Sequence, residues 1–201
     1  MKKKLQTNKQ HNIMKKVTFL IVAVLVFGVA NFAMADGHGD KKSASHGLNI
    51  SIPTHAMIAL AGPSNMDINF EAVAAEVAGG KVEFKQTNST ELWLNYSSIV
   101  NKNKENSISA EVSDLPEGLE IEVAVSASAA SGKKGHTGTG STQKLGKTGI
   151  EVVDGIESCY TGSGENKGHS LVYSVRAVDN DYEKIVAENH NLTITYTITE
   201  K

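Results

Sequence analysis

The sequence predicts an all-β protein, built as a two-sheet antiparallel β-sandwich of about eight strands. Two observations lead there. Apolar and polar side chains alternate at every second residue in segment after segment, and period 2 is the mark of a strand with one buried face. Turn-forming Gly, Pro, Asn and Asp separate these segments, and no long stretch shows helical periodicity. Two sheets packed face to face are the simplest way to bury one face of every strand. A barrel is the competing architecture.

Leu48, Ile50 and Ile52 place three apolar side chains on one face of a first strand. Pro53 interrupts it, because proline donates no ladder hydrogen bond. The apolar run resumes over residues 56–60, and Gly62, Pro63, Ser64 and Asn65 make a turn. Residues 68–73 alternate less cleanly, and Gly79 and Gly80 end them. Residues 90–100 carry the clearest aromatic signal, with Leu92, Leu94 and Tyr96 on one face and Trp93 and Asn95 on the other. Ile108, Ala110 and Val112 form the next set.

Residues 119–126 are the most regular strand. Leu119, Ile121, Val123 and Val125 point inward, while Glu120 and Glu122 face water. Residues 131–149 contain six Gly and four Lys, too much backbone freedom and too little apolar surface for a packed element. They predict an exposed loop broken by a short strand near Leu145. Residues 150–156 are a short strand, residues 161–168 a second Gly-rich loop, and Leu171, Tyr173, Val175 and Ala177 alternate again. Residues 179–190 are polar and hold a single helical turn. At residues 192–199, Leu192, Ile194, Tyr196 and Ile198 alternate with four threonines, giving one dry and one hydroxylated face.

The start of the chain is different material. Lys15 and Lys16 precede an uncharged apolar run over residues 17–30, and Ala33, Met34 and Ala35 supply a small-x-small cleavage pattern. That order is a secretory signal peptide, cleaved after residue 35. The run is shorter than the about 20 apolar residues of a spanning helix. Residues 36–46 then form a flexible leader and residues 47–201 a single domain. The expected location is exported: periplasm, outer cell surface or extracellular space, with no transmembrane segment after processing.

Residues 1–35 hold six Lys and no acid, leaving 14 Lys+Arg against 22 Asp+Glu, a formal charge of −8. A domain of that sign repels phosphate backbones, so no nucleic-acid partner is expected. One cysteine, Cys159, excludes an internal disulfide, so packing and sheet hydrogen bonds must hold the domain.

Candidate sites are sparse. Cys159 is a free thiol in an oxidising compartment. It reads as a buried small hydrophobe, as a link between chains, or as a nucleophile with His136 or His169 in reach. Asp36, His38, Asp40 and His46 hold a weak Zn²⁺ or Cu²⁺ site or simply a solvated leader. Asp179, Asp181 and Glu183 place carboxylates on alternate residues. These are oxygen ligands for Ca²⁺, the one cofactor suggested, or a charged turn. Trp93, with Tyr96 nearby, is a sugar-stacking platform for a glycan if exposed and core if not. No nucleophile elbow, phosphate loop or zinc-protease helix is recognisable, so no enzyme activity is expected. Leu192, Ile194, Tyr196 and Ile198 complete the fold inside a sheet. At a sheet edge the same strand would offer unpaired N–H and C=O groups for self-association.

The export leader, the alternating segments and the closing run LTITYTIT resemble small secreted β-sandwich proteins of bacterial surfaces. The nearest are spore-coat-U-like and pilin-like domains. Residues 92–98 (LWLNYSS) and 155–164 (GIESCYTGSG) are similar to uncharacterised secreted proteins of Bacteroidetes-type bacteria. The resemblance implies an immunoglobulin-like or pilin-like sandwich with a surface or fibre role. The functional expectation is a secreted structural or adhesive cell-surface protein, a fibre or matrix subunit without catalysis, whose partners are further copies of itself or other surface proteins. The alternatives are a glycan- or calcium-binding module, or an enzyme using Cys159.

Overall fold

The computed structural model describes residues 43–129 and 135–201. Residues 1–42, where the expected signal peptide and the leader positions Asp36, His38 and Asp40 fall, and residues 130–134 lie outside the described residues.

Period-2 segments become strands wherever their apolar face meets another sheet. β1 (His55–Ala61) is followed by the hairpin of β2 (Phe70–Val73) and β3 (Glu83–Gln86), then β4 (Leu92–Ile99), β5 (Asn106–Val112) and β6 (Leu119–Val125). The short strands β7 (Thr137–Gly140) and β8 (Thr142–Lys144) lead into β9 (Ile150–Ile156), β10 (Cys159–Tyr160) and β11 (His169–Ala177). A 3-10 turn at Asp179–Lys184 precedes β12 (Ile194–Glu200).

These strands form three sheets. A six-stranded sheet runs β1-β4-β11-β6-β8, with β10 also pairing β4; a four-stranded sheet runs β12-β5-β9-β7; β2 and β3 stand as a two-stranded sheet. The pairings are antiparallel. The chain is therefore all-β, but the expected two-sheet sandwich of about eight strands, immunoglobulin-like or pilin-like, is incorrect. Among the described residues there are twelve strands in three sheets, without sandwich or barrel closure. The short strands β3, β7 and β10, too short or too polar to show alternation, are the ones the sequence reading did not contain.

The glycine-rich stretch after β6 is the main case. It was expected as an exposed loop broken by one short strand near Leu145, and it holds two strands, β7 and β8. Gly138 has a φ of +70° and Gly140 lies close to β6; a Cβ on Gly138 would overlap the Asp154 carbonyl, and one on Gly140 would sit 2.5 Å from the Ser126 carbonyl. Glycine here permits close backbone approach. Leu145, at the end of this stretch, is buried and donates its N–H to Ile121 O at 2.8 Å.

Asn49–Lys201 form one unit with one core. Leu94, Val123, Leu171 and Tyr173 from the six-stranded sheet join Ile108, Val112, Val152, Val153 and Ile156 from the four-stranded sheet in a single buried cluster. β1 and β12, at the ends of their sheets, supply Ile58, Leu60, Ile194, Tyr196 and Ile198, which are only partly buried against it.

Residues 48–52 are a second correction. They form no strand, and Leu48, Ile50 and Ile52 are 77%, 76% and 71% exposed. Their alternation is real, but no sheet of this chain receives it. Residues 43–46 of the leader are exposed and without regular structure.

Ile108 is fully buried, so Ile108→Ala is expected to lower unfolding free energy by about 2–5 kcal/mol, from lost transfer energy plus a cavity. Val172, on the outer side of β11, is 61% exposed. Val172→Ala should change stability by less than about 0.5 kcal/mol. Urea unfolding of both variants checks the contrast.

Candidate functional site

β12 is the most distinctive surface of the molecule. It pairs β5 alone, with Ile194 opposite Val112, Tyr196 opposite Ala110 and Ile198 opposite Ile108. Its backbone can be sorted into inward and outward groups. Ser113 N–H donates to Thr193 O at 2.9 Å at one end, and Lys201 N–H donates to Glu105 O at 2.9 Å at the other. In an antiparallel ladder the residues bonding to a given neighbour recur at every second position. Thr195, Thr197 and Thr199 therefore direct their N–H and C=O toward β5. Ile194, Tyr196 and Ile198 direct theirs away, at an edge that no other strand pairs among the described residues.

The side chains of this edge are uncharged from Ile194 to Thr199. The three threonines are exposed, and the apolar residues lean on the core. Tyr196 is anchored by a 2.7 Å hydroxyl contact with Tyr173. Burial, and then the proximity of Tyr173, push the Tyr196 phenol well above its ordinary range. The far end is pinned by Lys201, whose Nζ reaches Glu151 at 2.7 Å and Asp154 at 2.5 Å. The edge is thus anchored at both its middle and its end and is unpaired among the described residues, although β1 lies close to β12.

The proposed glycan platform is divided by the strand that carries it. β4 puts Trp93 on the outer face, half-buried beside Ala61 and Ser170. Tyr96, three residues on, is buried on the inner face.

Tyr96 belongs instead to a polar network that sequence reasoning missed. Its hydroxyl contacts the Thr137 carbonyl oxygen and lies 2.7 Å from His169 Nε2. His169, fully buried, has Nδ1 2.6 Å from Ser126 O. A carbonyl only accepts, so Nδ1 carries a proton and the Tyr96 hydroxyl donates to Thr137. Burial raises the phenol strongly, with Cys159 adding to it. These bonds tie β4, β7 and β11 to the end of β6. Extending the alternation of β11 back from Leu171 to position 169 was the available signal.

Asp179, Asp181 and Glu183 fall on the 3-10 turn and do not converge. Asp179 pairs with Lys81 at 2.9 Å and Asp181 with Lys184 at 2.7 Å. Among the described residues, no group of three His, Cys, Asp or Glu side chains is placed to hold a metal.

Cys159 sits on β10 opposite Ser98, buried within the core cluster. Burial, and then the charge of Glu157, push its thiol up to about 11, the reverse of an activated nucleophile. His169 is committed to Ser126 and Tyr96, and His136 Nδ1 lies 2.6 Å from Gly155 O.

The chain matches no family model, no curated protein and no solved structure. Among the described residues, no helix is long and apolar enough to cross a membrane.

Two outcomes follow from the buried groups. Tyr96→Phe removes the donor to Thr137 and should cost about 1–3 kcal/mol in urea unfolding. The thiol of Cys159 ionises at higher pH in the folded chain (about 11) than at its ordinary 9.0. Its contribution is therefore intact below pH 9 and is lost as pH rises toward 11. Cys159→Ala should flatten that part of the stability–pH curve.

Proposed function

We propose that this is an exported, non-catalytic surface protein that assembles with further copies of itself through β12. The observation that carries this is the open edge: seven residues long, uncharged until Glu200, with the backbone groups of Ile194, Tyr196 and Ile198 turned away from β5. Natural sheets usually blunt such an edge with charge, proline or a covering segment. Here threonines occupy the positions where a charged residue would stand. An edge of this kind binds by adding a strand, with main-chain hydrogen bonds for affinity and alternate side chains for specificity.

The rest of the molecule supports a structural role. The one thiol is buried with its proton held, Asp179 and Asp181 of the 3-10 turn are each paired with a lysine, and the aromatic residues offered as a ligand platform lie on opposite faces of β4. The basic-apolar-small leader in the sequence supports export, and the resemblance in rhythm to bacterial surface proteins agrees with a fibre or matrix subunit.

Multi-angle light scattering of the purified protein across a wide concentration range is the test. The apparent mass is expected to climb with concentration. Ile194→Pro, which deletes an outward donor at the first residue of the strand, should weaken that climb. A strict monomer throughout would refute the proposal.

A further inference from the structure

Ser126, His169, Tyr96 and Thr137 stand in a row of three polar contacts. His169 Nδ1 lies 2.6 Å from Ser126 O, and its Nε2 lies 2.7 Å from the Tyr96 hydroxyl, which also contacts the Thr137 carbonyl oxygen. Each contact needs one proton to be a hydrogen bond. Both ends of the row are carbonyls, which only accept. A neutral imidazole brings one proton and a phenol brings one, so the neutral pair is one proton short. With Nδ1–H given to Ser126 and the hydroxyl proton given to Thr137, Nε2 meets a phenol oxygen with nothing between them. The row closes only when Nε2 is protonated as well.

The place makes the shortfall matter. His169 is fully buried and Tyr96 nearly so, and a buried polar group left without its bond costs its desolvation. The two rings are stacked, with centroids 5.6 Å apart and planes 15° from parallel, which keeps their polar ends together. The row also crosses between sheets. Thr137 opens β7, the end strand of the four-stranded sheet, while Tyr96 and His169 belong to β4 and β11 of the six-stranded sheet.

The groups that face the pair keep their own protons. Burial, and then Cys159, push the Tyr96 phenol far up, and burial, and then Glu157, push the Cys159 thiol up to about 11. Both stay neutral between about pH 5 and pH 8, the range in which a histidine changes charge. Glu157 lies beyond Cys159 as the acid on that side, exposed His136 precedes Thr137, and Lys167 stands two residues before His169.

We infer that His169 is a proton-binding switch: a proton taken up from solvent at Nε2 completes the row and fastens β7 to β4 and β11. When that proton returns to solvent, the Tyr96 hydroxyl serves either Nε2 or Thr137, and one link is lost. The folded chain then holds the proton more tightly than the unfolded chain, where a histidine titrates near about 6.5. The added stability is complete below about pH 6.5 and is lost as pH rises through the release from the folded chain.

NMR of the ring nitrogens, with isotope-labelled histidine in the full chain, tests this from about pH 8 to about pH 5. His169 is expected to gain a second N–H, at Nε2, while the protein stays folded. Over the same span the equilibrium constant for urea unfolding should fall about tenfold. Tyr96→Phe keeps the ring and removes the oxygen that Nε2–H needs, so its gain should shrink to about twofold or less, the share of the exposed histidines. A His169 ring that keeps one bare nitrogen throughout this range in the folded wild type would overturn the inference, whether or not Tyr96→Phe folds. So would a full tenfold gain in folded Tyr96→Phe.

Discussion

A strand can hide only every second side chain, and this fold depends on that restriction. No disulfide is available to relieve it, so apolar rows on β4, β5, β6, β9 and β11 must meet in one cluster. The rows on the inner strands are covered from both sides, which is why Leu94, Ile108 and Val123 are fully buried. β1 and β12 each pair with one strand only, and although they lie close to each other their rows remain partly open. Stability is concentrated in the middle of the two larger sheets and thins toward these two strands.

The buried polar residues show how the middle is kept in register. His169, Tyr96, Thr137 and Ser126 come from far apart in the sequence, and each contact tolerates little displacement. Gly168, with a φ of +65°, lets the chain enter β11 pressed against the Leu94 carbonyl, where any Cβ would collide. Apolar packing alone would accept a slipped pairing of β4 with β11. Directional bonds beside a glycine that fits one position reject it.

Much of the strand inventory was legible from alternation. β4, β5, β6, β9, β11 and β12 were each anticipated within a few residues, because each buries one face and its sequence says so. β2 and β8 were only faintly marked, and β3 and β7 not at all, because their physics differs: β7 is held by backbone approach at Gly138 and Gly140, and β3 is the arm of a small hairpin with charged residues in it. The number of sheets was illegible for the same reason. Residues 48–52 show the converse failure, since alternation marks a strand without saying whose sheet it belongs to. Of the candidate site, the composition of β12 was readable, but its position at an edge was not, because strand order is decided by long-range pairing. The carboxylates at 179, 181 and 183 do not converge, because alternate spacing in sequence says nothing of how a 3-10 turn directs them or of a lysine such as Lys81 arriving from a distant segment.

The fold and the proposed assembly would both draw on the same three residues of β12. Ile194, Tyr196 and Ile198 turn their side chains to the interior and their amides to the open border. A substitution there would alter folding and the proposed recruitment at once, so neither could be tuned alone. The exposed threonine side chains between them carry neither burden, and that row is where sequence drift would leave the architecture undisturbed.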